Sequence, residues 1–384
     1  MSSLQHVSIH FPSKLVFGKG ILQQLPDEII AFKAKSVLIV TIIPLLENIQ
    51  PLIETLTQKG IHVSIDTSIL NEPSFKDFYE LMERVTPQNP DVVIGIGGGS
   101  VLDVAKLVAA QLENEQTLPE YVGIGLLNGR KKKLICVPAT AGTGSEVSPN
   151  AILVDNADNQ KKGIISPFLV PDVVYADPLL TLSVPSAITA ATGLDALTHC
   201  LEAYTNKFAN MFIDIYAYEG MRLIAKDIVA AVKDGSDENA RVNVAMGSLL
   251  GGFCLGPVNT AGVHALSYPL GSEFHLPHGL SNALLLPYVM EYNIPASPEK
   301  YAKVAVALGC QEADTFMETA YRGVAKIRQI IKECGIPATL KEVGIPQEAI
   351  SQLAKDALKI QRLLKNNPRL IEEHDAIAIF ESAY

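Results

Sequence analysis

The first half of the chain alternates short apolar runs with segments that have helical periodicity. Two of these runs, SVLIVT at 36–41 and DVVIGI at 91–96, are almost entirely apolar. Such runs are typical of strands that are buried on both faces of a parallel sheet. Helical segments at 46–59 and 75–86 alternate with them. The alternation predicts an α/β domain that is built on a parallel sheet.

Shorter segments complete the predicted α/β domain. Further strands are expected at 7–10, 15–17, 62–66 and 134–137, and a further helix at 21–32. The first two strands are close enough in sequence to form a hairpin.

Beyond about residue 180 the strand pattern stops and only helical patterns follow. These segments repeat apolar residues every three to four positions, and they span 186–205, 212–232, 236–254, 260–269, 279–292, 298–308, 313–334, 348–360 and 373–382. We therefore predict two domains, an α/β nucleotide-binding domain at 1–185 and an all-helical domain at 186–384.

The helical segment AITAATGLDALTHCLEAY at 187–204 carries polar groups along one face. Asp195 and His199 are four residues apart, and Glu202 follows three residues later, so their side chains share one side of the helix. A carboxylate and an imidazole are costly to bury without partners. Such a pair is commonly an ordinary salt bridge, but a divalent cation would also satisfy both groups.

A second stretch, HALSYPLGSEFHLPHG at 264–279, favours the metal interpretation because it holds three of the eight histidines of the chain. Its prolines and glycine are expected to break the helix, so that His264 and His278 could converge from two helix ends. With Asp195 and His199 they would supply one oxygen and three imidazole nitrogens. That set suits zinc or ferrous iron.

Two glycine-rich turns form the other chemistry-bearing motif. GIGGGSVLDVAK at 95–106 places glycines directly after a predicted strand, where backbone N–H groups and a helix N-terminus can bind a pyrophosphate. Ser100 and Asp103 could instead form a capping box, which needs no ligand. PATAGTGSE at 138–146 follows the next strand. Two such turns at the carboxyl ends of buried strands predict a nucleotide site.

Charge, hydropathy and cysteine content limit the classes of protein. The net charge of −10 offers no basic surface for nucleic acid. No apolar run reaches the roughly 18 residues of a membrane span. The N-terminal MSSLQHVSIHFPSK lacks the pattern of a secretion signal. The five cysteines are scattered, without a C-x-x-C pair, which indicates reduced thiols in a cytoplasmic protein.

Several stretches together resemble the iron-containing (group III) alcohol dehydrogenase family. They are GGGSVLDVAK, ATAGTGSE, KKGIISPFLVPDVVYADP, ATGLDALTHCLEAY and HALSYPLGSEFHLPHG, and GIPATLKEVG and NNPR near the C-terminus agree with them. The resemblance runs from about residue 16 to the C-terminus. It implies a Rossmann-like nucleotide domain followed by an all-helical domain, an architecture similar to that of dehydroquinate synthase.

The resemblance also implies roles for particular residues. The metal ligands would be the four residues selected above. The residues on the cofactor side would be Asn71, Gly97, Gly98, Gly99, Ser100, Asp103, Thr140, Thr143, Lys161 and Leu182. Among these, the GGGS run would hold the pyrophosphate, and the two threonines would lie near the nicotinamide.

Ile42 departs from the family pattern. The family has an aspartate at this position that binds the 2′-hydroxyl of the adenine ribose of NAD, whereas this chain has Val40, Thr41 and Ile42. A carboxylate would repel the 2′-phosphate of NADP, and isoleucine cannot. No arginine nearby replaces the aspartate. The sequence therefore leaves both NAD and NADP open as cofactors.

Tyr268 is the second departure, because many family members have a histidine there that is suited to passing the substrate proton outward. A tyrosine can relay a proton through its hydroxyl, although the pKa of a phenol is much higher. His275 is the other candidate relay. Either residue could also line the pocket without moving a proton.

The sequence therefore predicts a metal-dependent alcohol dehydrogenase or aldehyde reductase that moves a hydride between a nicotinamide cofactor and a small primary alcohol or diol. The metal would be Fe²⁺, with Zn²⁺ also compatible, acting as a Lewis acid. Phe253, Leu255, Val258 and Phe274 indicate a small, rather apolar pocket. The resemblance implies a homodimer or a larger homo-oligomer.

Three alternatives remain open. A lyase or cyclase of the dehydroquinate synthase type would need a basic pocket, and the segment 240–300 offers only Arg241 and Lys300. A maleylacetate reductase-like oxidoreductase would lack the full set of metal ligands. A metal-binding protein without turnover would keep the ligands but bind no nucleotide.

Overall fold

The computed structural model describes residues 7–158 and 160–384, which form two compact units. The first unit comprises Ile9–Thr140 and Gly144–Leu182, and the second comprises Ser183–Tyr384 together with Ala141–Thr143. Residues 1–6 and Asn159 lie outside the described residues, and so does the start of the N-terminal segment in which we expected no secretion signal.

The first unit is an α/β structure with two sheets. Its strands are β1 (Lys14–Phe17), β2 (Ser36–Val40), β3 (His62–Asp66), β4 (Val92–Gly97), β5 (Gly123–Ile124), β6 (Lys133–Pro138), β7 (Asn150–Asp155), β8 (Gln160–Ile165) and β9 (Val173–Ala176). Its α-helices are α1 (Leu25–Ala31), α2 (Leu46–Gln58), α3 (Phe75–Val85) and α4 (Gly99–Gln111).

The larger sheet has six strands in the order β1-β9-β6-β4-β2-β3, and every pair is parallel. The chain passes from β2 outward to β3, then returns across β2 to β4, from which β6 and β9 continue in the other direction. The strand order therefore reverses between β2 and β4. In open parallel sheets, ligands bind outside the carboxyl ends of the strands at such a reversal.

Strand β2 explains why the apolar runs are continuous rather than alternating. Its side chains point alternately to two apolar layers, with Leu38 and Val40 in one and Val37 and Ile39 in the other. All four residues are buried. A strand that is covered by helices on both faces needs apolar residues at every position.

The N-terminal and C-terminal parts of this unit differ from the prediction. Residues 7–10 form no strand, because this segment pairs with no other strand among the described residues. The expected hairpin was also wrong, since β1 pairs in parallel with β9. Three strands between 150 and 176 were not predicted. Two of them, β7 and β8, form an antiparallel pair in a small sheet of order β5-β8-β7.

The second unit is helical. Its helices are α5 (Ser186–Thr205), α6 (Met211–Lys233), α7 (Glu238–Cys254), α8 (Gly262–Phe274), α9 (His278–Asn293), α10 (Pro298–Ala307), α11 (Phe316–Glu333), α12 (Ile350–Leu358), α13 (Gln361–Leu364) and α14 (Glu373–Ser382). The predicted fold class, a parallel α/β domain followed by a helical domain, is confirmed. Within the described residues, every helix is too short or too polar to span a bilayer.

Helix α8 corrects one prediction near the candidate metal ligands. Pro269, which was expected to break the helix, lies inside α8, and the helix continues to Phe274. A proline in a helix interior removes one backbone donor, but Pro269 is buried between apolar neighbours such as Leu266 and Leu270, and that packing offsets the loss. The helix ends at His275, whose φ of 56° is left-handed.

Candidate functional site

Helix α5 positions the first two candidate metal ligands. Asp195 and His199 are one turn apart and both are buried. Nε2 of His199 lies 3.6 Å from Oδ1 of Asp195. The segment Ser186–Thr205 forms one uninterrupted helix, so the i, i+4 spacing places both ligand atoms on the same side, as the sequence predicts.

Helices α8 and α9 bring in the other two histidines. Nε2 of His264 lies 3.5 Å from Oδ1 of Asp195, and Nε2 of His278 lies 3.7 Å from the same oxygen. The residue after His278 explains how α9 approaches α5 so closely. A Cβ atom at Gly279 would overlap the carbonyl oxygen of Ala191 on α5, so only glycine allows this packing.

The four side chains suit a divalent cation in their chemistry, and three of them also in their mutual spacing. Ligand atoms of Asp195, His199 and His264 all lie within 4.8 Å of one another. A tetrahedral site with bonds of about 2.1 Å has ligand atoms about 3.4 Å apart. The separations of 3.5, 3.6 and 3.7 Å around Oδ1 of Asp195 are close to that value. His278 is the most accessible ligand, with 31% of its side chain exposed, so the site opens on its side.

The electrostatics of the cluster also favour a cation. Burial disfavours the charge of Asp195, but His199, His278 and His264 hold the pKa of this carboxyl well below its usual range. Burial lowers the pKa of His199. Burial also opposes protonation of His264, yet the carboxylates of Glu202 and Asp195 outweigh it and raise the pKa of His264 to about 10. Asp195 therefore stays ionised and His199 stays neutral, the forms that bind a metal ion, and His264 exchanges its Nε2 proton for the ion.

Glu202, which the sequence placed on the same face of α5, holds His264. Its Oε2 accepts a hydrogen bond of 2.6 Å from Nδ1 of His264. Its carboxylate also accepts from the backbone N–H groups of Ala261 and Val263, at 2.9 and 2.6 Å. A carboxylate on Nδ1 leaves Nε2 of the same ring as the metal-binding atom.

Two buried polar atoms near the ligands have no hydrogen-bond partner among the described residues, Nδ1 of His199 and Oδ1 of Asn282. The backbone of Gly142 lies close enough to favour the protonated form of His199, but outside hydrogen-bonding geometry with Nδ1. Unsatisfied buried polar atoms are rare in native proteins. Neither atom is one of the four that would bind the ion, because His199 faces Asp195 through Nε2 and Asn282 faces it through Nδ2.

The structure places the two candidate proton relays differently. The ring of Tyr268 lies 5.8 Å from the ring of His278, edge to face. Its hydroxyl oxygen accepts a hydrogen bond of 3.0 Å from Nη2 of Arg362 on α13, a contact that the sequence did not predict. His275 is exposed and ends α8. The geometry therefore connects Tyr268, rather than His275, to a candidate ligand.

The glycine-rich turn after β4 fits a phosphate. The strand ends at Gly97 and α4 begins at Gly99, with Gly98 as the N-cap. A side chain at Gly97 would come within 2.8 Å of Val101. The hydroxyl of Thr140, from the turn after β6, lies beside Gly98. The start of this 13-residue helix lies at the strand-order reversal and has no side-chain cap, which is compatible with phosphate binding; the cofactor role of the GGGS run stays a prediction.

Asp103 has a different environment from the one expected. The capping-box interpretation with Ser100 was wrong, because the N-cap of α4 is Gly98 and no side chain caps it. The Asp103 carboxylate accepts hydrogen bonds from Ser145 Oγ at 2.5 Å and from the Ile152 N–H at 2.9 Å. Lys106, which is fully buried, donates to the carbonyl oxygens of Ser148 and Asn150. These bonds join α4 to the chain that follows the second glycine-rich turn.

The remaining candidate cofactor residues are more dispersed. Lys161 on β8 forms an ion pair of 2.5 Å with Glu72, the neighbour of the exposed Asn71. Leu182 ends a short 3₁₀ helix and is half-buried. Thr143 is half-buried in the segment that belongs to the helical unit. The roles of these four residues stay predictions.

The apolar pocket that was expected around the substrate is also untested. Leu255 and Val258 are buried, and the ring of Phe253 packs 5.5 Å from the ring of Tyr216. Phe274 is half-buried at the end of α8.

Comparisons with known proteins cover both units. The family model described as iron-containing alcohol dehydrogenase matches residues 12–178. The model described as Fe-containing alcohol dehydrogenase family, C-terminal, matches residues 189–384. Together they span nearly the whole chain.

Individual relatives agree with these matches. Long-chain-alcohol dehydrogenase 1 of Geobacillus thermodenitrificans is 39% identical over 383 residues, which is 98% of this chain and 96% of that protein. The crystal structure of a 1,3-propanediol oxidoreductase has a TM-score of 0.95 and 32% identity, covering 99% of this chain and 100% of that one. Sulfoacetaldehyde reductase from Bifidobacterium kashiwanohense, solved in complex with NAD⁺, has a TM-score of 0.88 and 26% identity, covering 99% of each chain.

Proposed function

Because the chain belongs to the iron-containing alcohol dehydrogenase family, we propose that it interconverts small primary alcohols or diols with their aldehydes. It is an oxidoreductase that uses a nicotinamide cofactor and a metal. The observation that carries the proposal is the convergence of one carboxylate oxygen and three imidazole nitrogens. We propose Fe²⁺ as the ion, with Zn²⁺ as the alternative, since the donor set suits both.

The chemistry divides between the bound groups and the protein. A divalent cation supplies a Lewis acid for an alcohol hydroxyl or an aldehyde carbonyl, and the nicotinamide accepts or donates the hydride. Asp195, His199, His264 and His278 would hold the cation. Glu202 keeps Nε2 of His264 available by holding the proton on Nδ1. The N–H groups of Gly99 and Ser100 at the start of α4 would bind the cofactor pyrophosphate.

We assign the proton relay to Tyr268 rather than to His275. The support is its position edge to face with His278, the most exposed candidate ligand. Its hydroxyl can accept the substrate proton on one side and release one to solvent on the other. The neighbouring Arg362 fixes the direction of this hydroxyl by donating to its oxygen.

The cofactor is proposed to be NAD, with NADP accepted as well. Support for NAD comes from the relative whose structure contains NAD⁺. Support for NADP is the half-buried, uncharged Ile42, which follows β2 at the strand-order reversal.

We also propose a cytoplasmic homodimer or larger homo-oligomer. Five cysteines without a disulfide support the reducing compartment, and the partly exposed edge strand β1 supports self-association.

A second candidate function is the reduction of aldehydes that carry a negative charge, and Arg362 favours it. This guanidinium lies next to Tyr268 and forms no ion pair with a carboxylate in the described part of the chain. An arginine without a carboxylate partner, next to a candidate proton relay, can bind a carboxylate or sulfonate of the substrate. The test compares butanal with 4-oxobutanoate in the wild type and in Arg362→Leu, with the exposed Arg369→Leu as the control. A preference for 4-oxobutanoate that only Arg362→Leu removes would support this candidate, and its absence would exclude it.

The primary proposal is tested by aldehyde reduction under anaerobic conditions, followed through nicotinamide absorbance. The rate with NADH and the rate with NADPH are each measured on protein treated with a chelator and on the same protein after Fe²⁺ or Zn²⁺ is restored. Turnover that disappears with the metal and returns with it is the expected result. Cofactor binding without turnover of any short aldehyde would contradict the proposal.

The variant His264→Ala examines the ligand set in the same preparation. It should lose metal and activity together while its helical circular dichroism persists. The control is His62→Ala, because His62 is an exposed histidine on β3 outside every group of possible metal ligands in the described part of the chain. Full activity of metal-free His264→Ala would contradict the role of this site.

A further inference from the structure

We propose that Asn282 is a positioning residue of the metal site, acting through Asp195. Asn282 lies on α9, one turn after His278, and is fully buried. Its Nδ2 lies 2.7 Å from Oδ1 of Asp195, 3.1 Å from Nε2 of His264 and 3.2 Å from Nε2 of His278. One amide group thus contacts three of the four candidate ligands at the atoms that would bind the ion. The inference rests on the proposed function only in requiring that the site binds a divalent cation.

Asp195 determines which way the amide points. A carboxylate oxygen only accepts hydrogen bonds, so the NH₂ group must face it at 2.7 Å. The opposite orientation would place two acceptors against each other. As a result, Oδ1 of Asn282 is the buried oxygen that lacks a partner. The bond to Asp195 is therefore favourable enough to leave the other end of the amide unsatisfied.

The lone pairs of the ligands define what the amide does when an ion binds. An imidazole Nε2 has one lone pair, which either accepts from Asn282 or binds a cation. Oδ1 of Asp195 has more than one, so it can bind a cation and still accept from Asn282. When an ion binds, the Nε2 atoms of His264 and His278 therefore bind the ion instead of Asn282. The hydrogen bond from Asn282 to Asp195 is retained. That bond holds the oxygen that lies among all three Nε2 atoms.

Another buried asparagine on the same helix provides a matched comparison. Asn293, at the end of α9, exchanges hydrogen bonds of 2.9 and 2.7 Å with Asn367. It contacts none of the candidate ligands in the described part of the chain. Replacing Asn293 removes a buried amide from α9 without touching the metal site, so it measures the purely structural effect.

The experiment measures metal binding rather than activity. Asn282→Leu, which keeps the branched shape of the side chain and removes the donor, is compared with Asn293→Leu and the wild type. Zn²⁺ affinity is measured by competition with a chelating dye, and the visible spectrum is recorded after loading with Co²⁺. Asn282→Leu should bind Zn²⁺ about 10- to 100-fold more weakly and shift the Co²⁺ bands, the range typical for residues behind a metal ligand. Asn293→Leu should lower the melting temperature but keep both metal readouts.

The outcomes separate this inference from the proposed function. Wild-type affinity and an unchanged Co²⁺ spectrum in Asn282→Leu would overturn the role of Asn282 and leave the proposed function intact. A wild-type protein that binds neither ion would overturn both. Should Asn282→Leu not fold, Asn282→Ala replaces it, and the same two readouts apply.

Discussion

Glu202 and His264 form a carboxylate–imidazole pair, with Oε2 of Glu202 2.6 Å from Nδ1 of His264. Both side chains are buried. The same carboxylate accepts from two backbone N–H groups at the start of α8, so it fixes the helix end as well as the ring. Nε2 of His264 is left directed at Asp195, at 3.5 Å. The pair therefore orients Nε2 of His264 toward the proposed metal site before an ion binds.

Glu202→Gln should weaken metal binding about 10- to 100-fold, because a neutral amide oxygen holds the Nδ1 proton of His264 less strongly than a carboxylate does. Chelator competition measures the effect. Asp177→Asn is the matched control, since Asp177 is another buried carboxylate that accepts from backbone N–H groups, those of Gly20 and Leu22. The control should lower stability without changing metal affinity. Equal metal affinities in Glu202→Gln and the wild type would refute this role.

Ile42→Asp should shift cofactor use toward NADH. The new carboxylate would follow β2 at the strand-order reversal and repel a 2′-phosphate, so that KM for NADPH should rise at least about tenfold while KM for NADH stays level or falls. Initial rates with both cofactors give the ratio of KM for NADPH to KM for NADH. Ile43→Asp adds the same charge one residue further on, at a side chain that is 62% exposed, and should leave the ratio unchanged. An unaltered ratio in Ile42→Asp would show that the 2′-group lies elsewhere.

Tyr268→Phe should lower kcat about 100-fold, which is within the range for loss of a proton-transfer group. The phenylalanine keeps the ring beside His278 and removes only the hydroxyl. His275→Ala tests the other candidate relay and should have little effect, because His275 is exposed at the end of α8. Steady-state kinetics across pH measure both variants. A kcat in Tyr268→Phe close to the wild-type value would mean that Tyr268 only lines the pocket.

Glu146 should make the free energy of unfolding depend on pH between about 4.5 and 7. Burial raises the pKa of Glu146 from 4.5 to about 7. In that window the folded state holds a proton that the unfolded state releases, so stability falls as pH rises, by an amount on the order of a few kcal/mol. Glu146→Gln carries no titrating group and should lose this part of the dependence. Urea unfolding at several pH values gives the comparison. Identical pH profiles for the two proteins would contradict the raised pKa.

The sequence identifies the candidate metal ligands because their signals are local. Asp195 and His199 are joined by helical spacing alone, and His264 and His278 lie in one short histidine-rich stretch. The sequence predicts only the position of Glu202, because its spacing puts it on the same face of α5. Its hydrogen bond to His264 depends on how α8 packs and cannot be predicted from the spacing. Asn282 has no such signal, because a buried asparagine in a helix looks the same whether it contacts a ligand or another amide.

Other features that the sequence did not predict also depend on packing between distant parts of the chain. Pro269 breaks helices in general, and only the packing around α8 tolerates it. Strand β8 (QKKGII) is half polar, so it lacks the apolar run that identified β2 and β4. Strand β7 (NAILVD) has four apolar residues in a row, but it pairs with β8 rather than with the larger sheet. The bond between Arg362 and Tyr268 joins residues 94 positions apart, and no local pattern encodes it.

The four candidate ligands lie on three helices, α5, α8 and α9, and a bound ion would tie these helices together much as a disulfide ties distant parts of a chain. The segment between Asp195 and His278 then becomes a closed loop, which restricts the unfolded chain and opposes local opening. Copies of the protein without an ion would open more often and be degraded sooner by proteases. Metal supply would then determine how long each molecule survives in the cell, in addition to how fast it works.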